Sequence, residues 1–176
     1  MLTVLGLTAQ LLSGIPSDTP PPSPLPPRRR VQAVEISDWY GRRLTLHRRL
    51  SYATIPLFAF QWAAGQQIWN KGSAAPVWAR TGHRVGATSI AAVFAANTVT
   101  GVWNLWDSRA TPKGRAQRYM HSIAMLTADA GFTWAGAVLS EQAESDITKR
   151  TLHRKVAVTS MGISVVSGVL MKVLNK

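Results

Sequence analysis

The chain of 176 residues has four histidines, His47, His83, His121 and His153. Each stands at the entrance of a long apolar stretch. Neutral imidazole is the commonest protein ligand for metals and one of the side chains that hold haem iron. If the four stretches cross a membrane alternately, His47 and His121 fall on one side and His83 and His153 on the other. The pattern predicts two bis-histidine haem sites, one near each face, with both axial positions filled.

Glycine repeats with the histidines. Gly65 lies eighteen residues after His47 and Gly101 eighteen after His83, while Gly136 and Gly168 lie fifteen after His121 and His153. Eighteen residues make five helical turns, so each helix offers a histidine near its start and a glycine on a nearby face close to its end. A helix that flanks a flat macrocycle without ligating it must present little side-chain volume, which glycine allows. Taken singly, each glycine also suits ordinary helix packing. Arg48, Arg84, Arg118 and Arg154 stand beside the histidines, where haem propionates need cations.

Other metals fit less well. Structural zinc takes four close N or S ligands and catalytic zinc three, more than two histidines per side provide. Met120, Met161 and Met171 are alternative haem ligands, but only Met120 is near an entrance, and it does not share a helix face with the adjacent His121. With no cysteine, disulfides, iron–sulfur clusters and thiolate ligation are excluded.

The elements that must carry these residues are long helices. Residues 50–70, 85–106 and 156–171 contain no Asp, Glu, Lys or Arg, and residues 119–140 contain only Asp129. About 20 helical residues span a hydrocarbon core of roughly 30 Å. The last stretch is short before Lys172, whose amine can snorkel to the interface. The expected fold is all-α: a transmembrane up-down-up-down four-helix bundle over residues 46–176, with a Pro-rich N-terminal tail over residues 1–45. In that topology the first and third helices lie diagonally, as do the second and fourth. Spans are expected at about 46–69, kinked at Pro56, then 83–106, 118–140 and 152–175.

Ahead of the bundle, residues 1–14 are mildly apolar but lack a basic start and a small-residue cleavage site, so a secretory signal is not favoured. Residues 17–27 are dominated by proline and read as an extended spacer. Arg28, Arg29 and Arg30 follow, and residues 31–40 read as a short interfacial helix ending in Trp39 and Tyr40.

The net charge of +12 does not form one basic face. Lys and Arg cluster before, between and after the apolar stretches, which argues for membrane topology and against nucleic-acid binding. Thirteen of the 20 fall on the side of the N-terminus, so the positive-inside bias places both termini in the cytoplasm or its equivalent. Trp62, Trp69, Trp78, Trp103, Trp106 and Trp134 read as interface anchors. Asp129, near mid-span, is either a proton-relay or cofactor-linked group or a hydrogen-bonded acid satisfied by Asn97 or Thr133.

The paired pattern of His47 with His121 and His83 with His153, with basic residues alongside, resembles the cytochrome b-561 family over residues 46–175. The resemblance implies electron transfer across a membrane through two b-type haems, often from ascorbate to a ferric or radical acceptor. The chain lacks that family's extra flanking helices and any recognisable donor motif, so a redox partner subunit is one source of donor or acceptor. The alternatives are a haem-bearing anchor of a larger respiratory or reductase complex, with quinone near Asp129, and a haem-free structural membrane subunit.

Overall fold

The computed structural model describes residues 37–174. Most of the Pro-rich tail, Arg28 to Arg30 included, and the start of the expected interfacial helix lie outside the described residues. Within them the chain is all-helical, with four long helical rods: α1 (Asp38–Lys71), α2 (Val77–Asp107), a third rod Arg115–Ser145, and α5 (Ile147–Leu174). The third rod comprises α3 (Arg115–Trp134), a π turn (Ala135–Leu139) and α4 (Ser140–Ser145).

Local chemistry sets the ends of these rods. The Ser37 hydroxyl accepts from the Tyr40 amide and Asp38 occupies the first turn, so α1 begins well before the apolar stretch. It runs unbroken through Pro56 to Gly72, whose φ of 55° ends it. Gly114, at φ 69°, turns the chain into α3. Asp146 Oδ1 accepts from the amides of Thr148 and Lys149, capping the start of α5.

Three rods, Val77–Asp107, Arg115–Ser145 and Ile147–Leu174, are long and apolar enough to cross a membrane. The uncharged part of α1 carries Gln61, Gln66, Gln67 and Tyr52 and does not reach the same hydropathy. Side-chain placement is inverted relative to a water-soluble helix bundle. Ile55, Val99, Val102, Ile123 and Val166 are exposed, whereas Thr54, Gln61, Asn97, Ser160, Ser164 and Ser167 are buried. Small and polar residues at helix contacts with aliphatic residues outside is the pattern expected where lipid replaces water.

The rods pair as two hairpins. The start of α1 meets the end of α2, where Arg43 pairs with Asp107, and the far end of α1 meets the start of α2, where Gly65 lies against His83. In the second hairpin His121 reaches Ser167 and His153 reaches Ala135. Between the hairpins, Phe58, Ile90, Phe94 and Ala128 form a buried layer flanked by Phe132. The three phenylalanine rings meet at centroid distances of 4.8 to 6.0 Å.

Candidate haem-ligating histidine pairs

Each helix repeats one inward-facing seam. Counted from its histidine, residues seven on are Thr54, Ile90, Ala128 and Ser160, and residues eleven on are Phe58, Phe94, Phe132 and Ser164. Those fourteen on are Gln61, Asn97, Ala135 and Ser167. All are buried except half-buried Phe132. Steps of seven and four keep a residue on one side of a helix of 3.6 residues per turn. The seam therefore carries every histidine to the interior.

The four imidazoles meet in two pairs. His47 and His121 have ring centroids 6.3 Å apart with planes at 82°, and His83 and His153 are 6.2 Å apart at 60°. Two metal–imidazole bonds of about 2.0 Å plus two ring radii of about 1.1 Å put the centroids of trans-ligating imidazoles roughly 6.2 Å apart. Both pairs have the separation that a single iron between them requires.

The opposite ring nitrogens turn to the neighbouring helix. Nδ1 of His153 donates to the carbonyl of Ala135 at 2.9 Å. A carbonyl only accepts, so the proton sits on Nδ1 and the Nε2 lone pair is free. Nδ1 of His47 lies 3.1 Å from the Thr100 hydroxyl, which gives its own proton to the Ala96 carbonyl at 2.8 Å. That hydroxyl must accept from His47, which fixes the same tautomer. His121 Nδ1 lies 2.8 Å from the Ser167 hydroxyl. Nδ1 of His83 is buried and completes no hydrogen bond, with the Gln61 backbone beside it. Orienting a metal-binding imidazole through its second nitrogen is the usual arrangement.

The group beside each Nδ1 lies on, or one turn from, the residue fourteen beyond the other histidine of the hairpin: Thr100 one turn after Asn97, and Gln61, Ser167 and Ala135 themselves. Fourteen residues rise about 21 Å, which sets the separation of the two pairs along the bundle.

The glycines divide. A Cβ on Gly65 would stand 3.3 Å from Cε1 of His83, and one on Gly101 would stand 3.2 Å from Cε1 of His47. These two glycines lie directly against the imidazoles. Gly136 and Gly168 have nothing within 4 Å of such a Cβ. The residues that touch the rings in that hairpin are their neighbours Ala135 and Ser167.

The arginines also divide. Arg48 is exposed beside His47. Arg84 faces Glu144 at 3.6 Å with both side chains largely in the open, a pairing worth little. Arg154 lies 4.6 Å over the Trp69 ring. Arg118 is spent on the loop before its histidine, donating to the carbonyls of Ser108, Thr111 and Lys113. Arg150, three residues before His153 as Arg118 is before His121, holds the carbonyls of Ala143 and Glu144 in the same way. In the sequence, only the spacing of Arg150 from His153 signals this role.

No known family model, curated protein or solved structure matches this chain. The site rests on its own geometry. Among the described residues no three His, Asp or Glu side chains converge, so the donor set is two imidazoles per site. That set, with three of the four rings hydrogen-bonded through Nδ1, would suit a bis-imidazole haem. Asp129, half-buried on α3, accepts from the Thr98 hydroxyl of α2 at 2.9 Å, a partner other than the expected Asn97 or Thr133.

Proposed function

We propose that the chain is a four-span, up-down-up-down integral membrane protein that passes electrons across the bilayer through two b-type haems. The haem near the N-terminal face is held by His47 and His121, and the other by His83 and His153. The single observation that carries this reading is the pair of centroid separations, 6.3 and 6.2 Å, at the two ends of one bundle. α1 completes the set of spans because it lies along α2, with its charged start at one end and Gln61 against Gly86 of the partner helix. The positive-inside bias puts both termini on the cytoplasmic or equivalent side. Lipid is then the partner of the exposed aliphatic surface.

Bound haem supplies a one-electron couple at each site. The protein supplies the rest. His47 with His121 and His83 with His153 would hold the two haems through their imidazoles, a donor set that suits electron exchange rather than binding of oxygen or substrate. Thr100, Ser167 and the Ala135 carbonyl hold the ring planes, and Gly65 and Gly101 admit the rings. Phe58, Phe94 and Phe132 pack the interval between the pairs with apolar aromatic rings and exclude water from it. The architecture is similar to that of the cytochrome b-561 family, and ascorbate or quinone would serve as the donor class.

The deciding experiment is a reduced-minus-oxidised absorption spectrum of the detergent-purified protein with haem quantified per chain. Two low-spin haems per chain are expected, and one in His83→Ala. A folded protein that takes up no haem would overturn the reading, and two haems in His83→Ala would overturn the pairing.

A second reading is favoured by Asp129, an acid within a span at the α2–α3 seam: a haem-bearing anchor of a larger complex that handles quinone there. Quinone-dependent reoxidation that is lost in Asp129→Asn would select it.

A further inference from the structure

Buried polar groups in proteins nearly always find partners, so a cluster that does not calls for a physical reason. One such cluster stands a turn outward from the His47–His121 pair. Arg43 precedes His47 by four residues and Arg118 precedes His121 by three, so each shares a helix face with its histidine. A terminal nitrogen of Arg43 bonds Asp107, and its guanidinium lies 4.8 Å over Trp103. Both terminal nitrogens of Arg118 bond carbonyls, including that of Ser108. The Nε–H groups of both arginines are buried and unpartnered.

Asn104 stands among the same α2 residues, one after Trp103, three before Asp107 and four before Ser108. It is 7% exposed, and neither atom of its amide has a partner. It lies one turn beyond Thr100, which bonds His47. Two helices besides α2 thus carry, with Asn104, three buried donor nitrogens without acceptors at the N-terminal end of the bundle, linked through Asp107 and Ser108 at the end of α2. The charge there is two guanidinium groups against the single carboxylate of Asp107.

The other site has no such cluster. The positions equivalent to Arg43 and Asn104 are Ala79 and Ile68. Arg150, equivalent to Arg118, bonds the Ala143 carbonyl through Nε at 2.8 Å.

We infer that Arg43 Nε, Arg118 Nε and the Asn104 amide bind a carboxylate at the N-terminal mouth of the bundle. The two oxygens of a carboxylate offer about four acceptor sites, enough for all three donor nitrogens, and its charge offsets the excess guanidinium. The assignment of a redox role to this ligand rests on the function proposed above. The carboxylate has two sources: a propionate of the haem on His47 and His121, or a soluble carboxylate compound that reaches the same mouth.

The test uses the full chain in detergent, wild type and Asn104→Leu, both in a His83→Ala background that leaves one site. Each is reconstituted with haem b and with its dimethyl ester, and each is titrated calorimetrically with malonate. A propionate ligand predicts that Asn104→Leu weakens haem b at least about tenfold but leaves the dimethyl ester unaffected. A soluble carboxylate predicts unchanged binding of both haems, with saturable malonate binding to wild type that Asn104→Leu abolishes. Should Asn104→Leu not fold, Asn104→Asp, which puts a carboxylate of its own in the cluster, is expected to give the same losses. The inference is overturned if neither discrimination between the two haems nor malonate binding changes. Failure of the chain to take any haem rejects the proposed function separately, and the malonate titration alone then decides the carboxylate site.

Discussion

Nδ1 of His153 donates to the carbonyl of Ala135, and Ala135 is the first residue of the π turn in the third rod. In a regular α-helix the amide four residues on takes one lone pair of that carbonyl and fixes its direction. A π turn carries one residue more than the α-helical repeat and loosens such bonds, which is why it recurs at functional sites. Small side chains at Ala135, Gly136 and Ala137 allow the widening, and the Ser140 hydroxyl bonds the Gly136 carbonyl at 2.5 Å. Deleting Ala137 should regularise the rod and turn the Ala135 carbonyl away from His153. The expected product keeps the His47–His121 haem and loses the other. Haem per chain and the low-spin electron paramagnetic resonance signals check this, with two haems retained as the contrary result.

Gly65 and Gly101 should tolerate substitution far less than Gly136 and Gly168. A methyl at Gly65 meets His83 at 3.3 Å and one at Gly101 meets His47 at 3.2 Å, distances at which the ring must give way. Valine has more volume still. Gly65→Val is expected to cost the His83–His153 haem and Gly101→Val the His47–His121 haem, each sparing the other site. Gly136→Ala and Gly168→Ala, which meet nothing, should keep both haems. Absorbance-based haem counts on the four variants decide the matter.

Much of this arrangement was legible in the sequence because its signals are long-range and periodic. The apolar stretches marked the four rods, and one histidine per stretch marked the pairs that the rods bring together. Phase was harder. The glycines stood fifteen residues after His121 and His153, whereas the residues that touch the rings stand fourteen after them. Only the three-dimensional register distinguishes those positions, and the π turn leaves no composition signal. The first apolar span begins near Leu46, yet Ser37 caps a helix that reaches back through Arg42 and Arg43. Arg43 thereby joins the wall of the site, a role its own sequence neighbourhood does not signal.

Thr100 should act as a positioning residue for His47. Its hydroxyl accepts from Nδ1 and passes its proton to Ala96, which locks the tautomer that leaves Nε2 free. Thr100→Val keeps the shape and removes the acceptor. Loss of such a partner typically lowers metal affinity by about 10- to 100-fold. Thr100→Ser restores the oxygen and should restore affinity. Haem titration of the His83→Ala background, with and without these changes, tests the effect on one site alone. Equal affinity in the valine and serine variants would show that the hydroxyl does not hold the ring.

Asp129 separates a structural role from a chemical one. It accepts from Thr98 at 2.9 Å across the α2–α3 seam, and a hydrogen bond between helices in a membrane is worth about 0.6 to 2 kcal/mol. Asp129→Asn keeps an acceptor oxygen for Thr98, so a purely structural acid predicts unchanged stability and unchanged electron transfer. Asp129→Leu leaves the Thr98 hydroxyl without its acceptor and should lower stability by about 1 kcal/mol in a denaturant titration in detergent. A proton-handling acid behaves otherwise: Asp129→Asn would remain as stable as wild type while losing quinone-dependent turnover in vesicles. Electron transfer through the two histidine-held haems alone predicts the first outcome, because neither histidine pair is bonded to Asp129 or Thr98. Loss of turnover in a stable Asp129→Asn protein would place quinone chemistry at the α2–α3 seam.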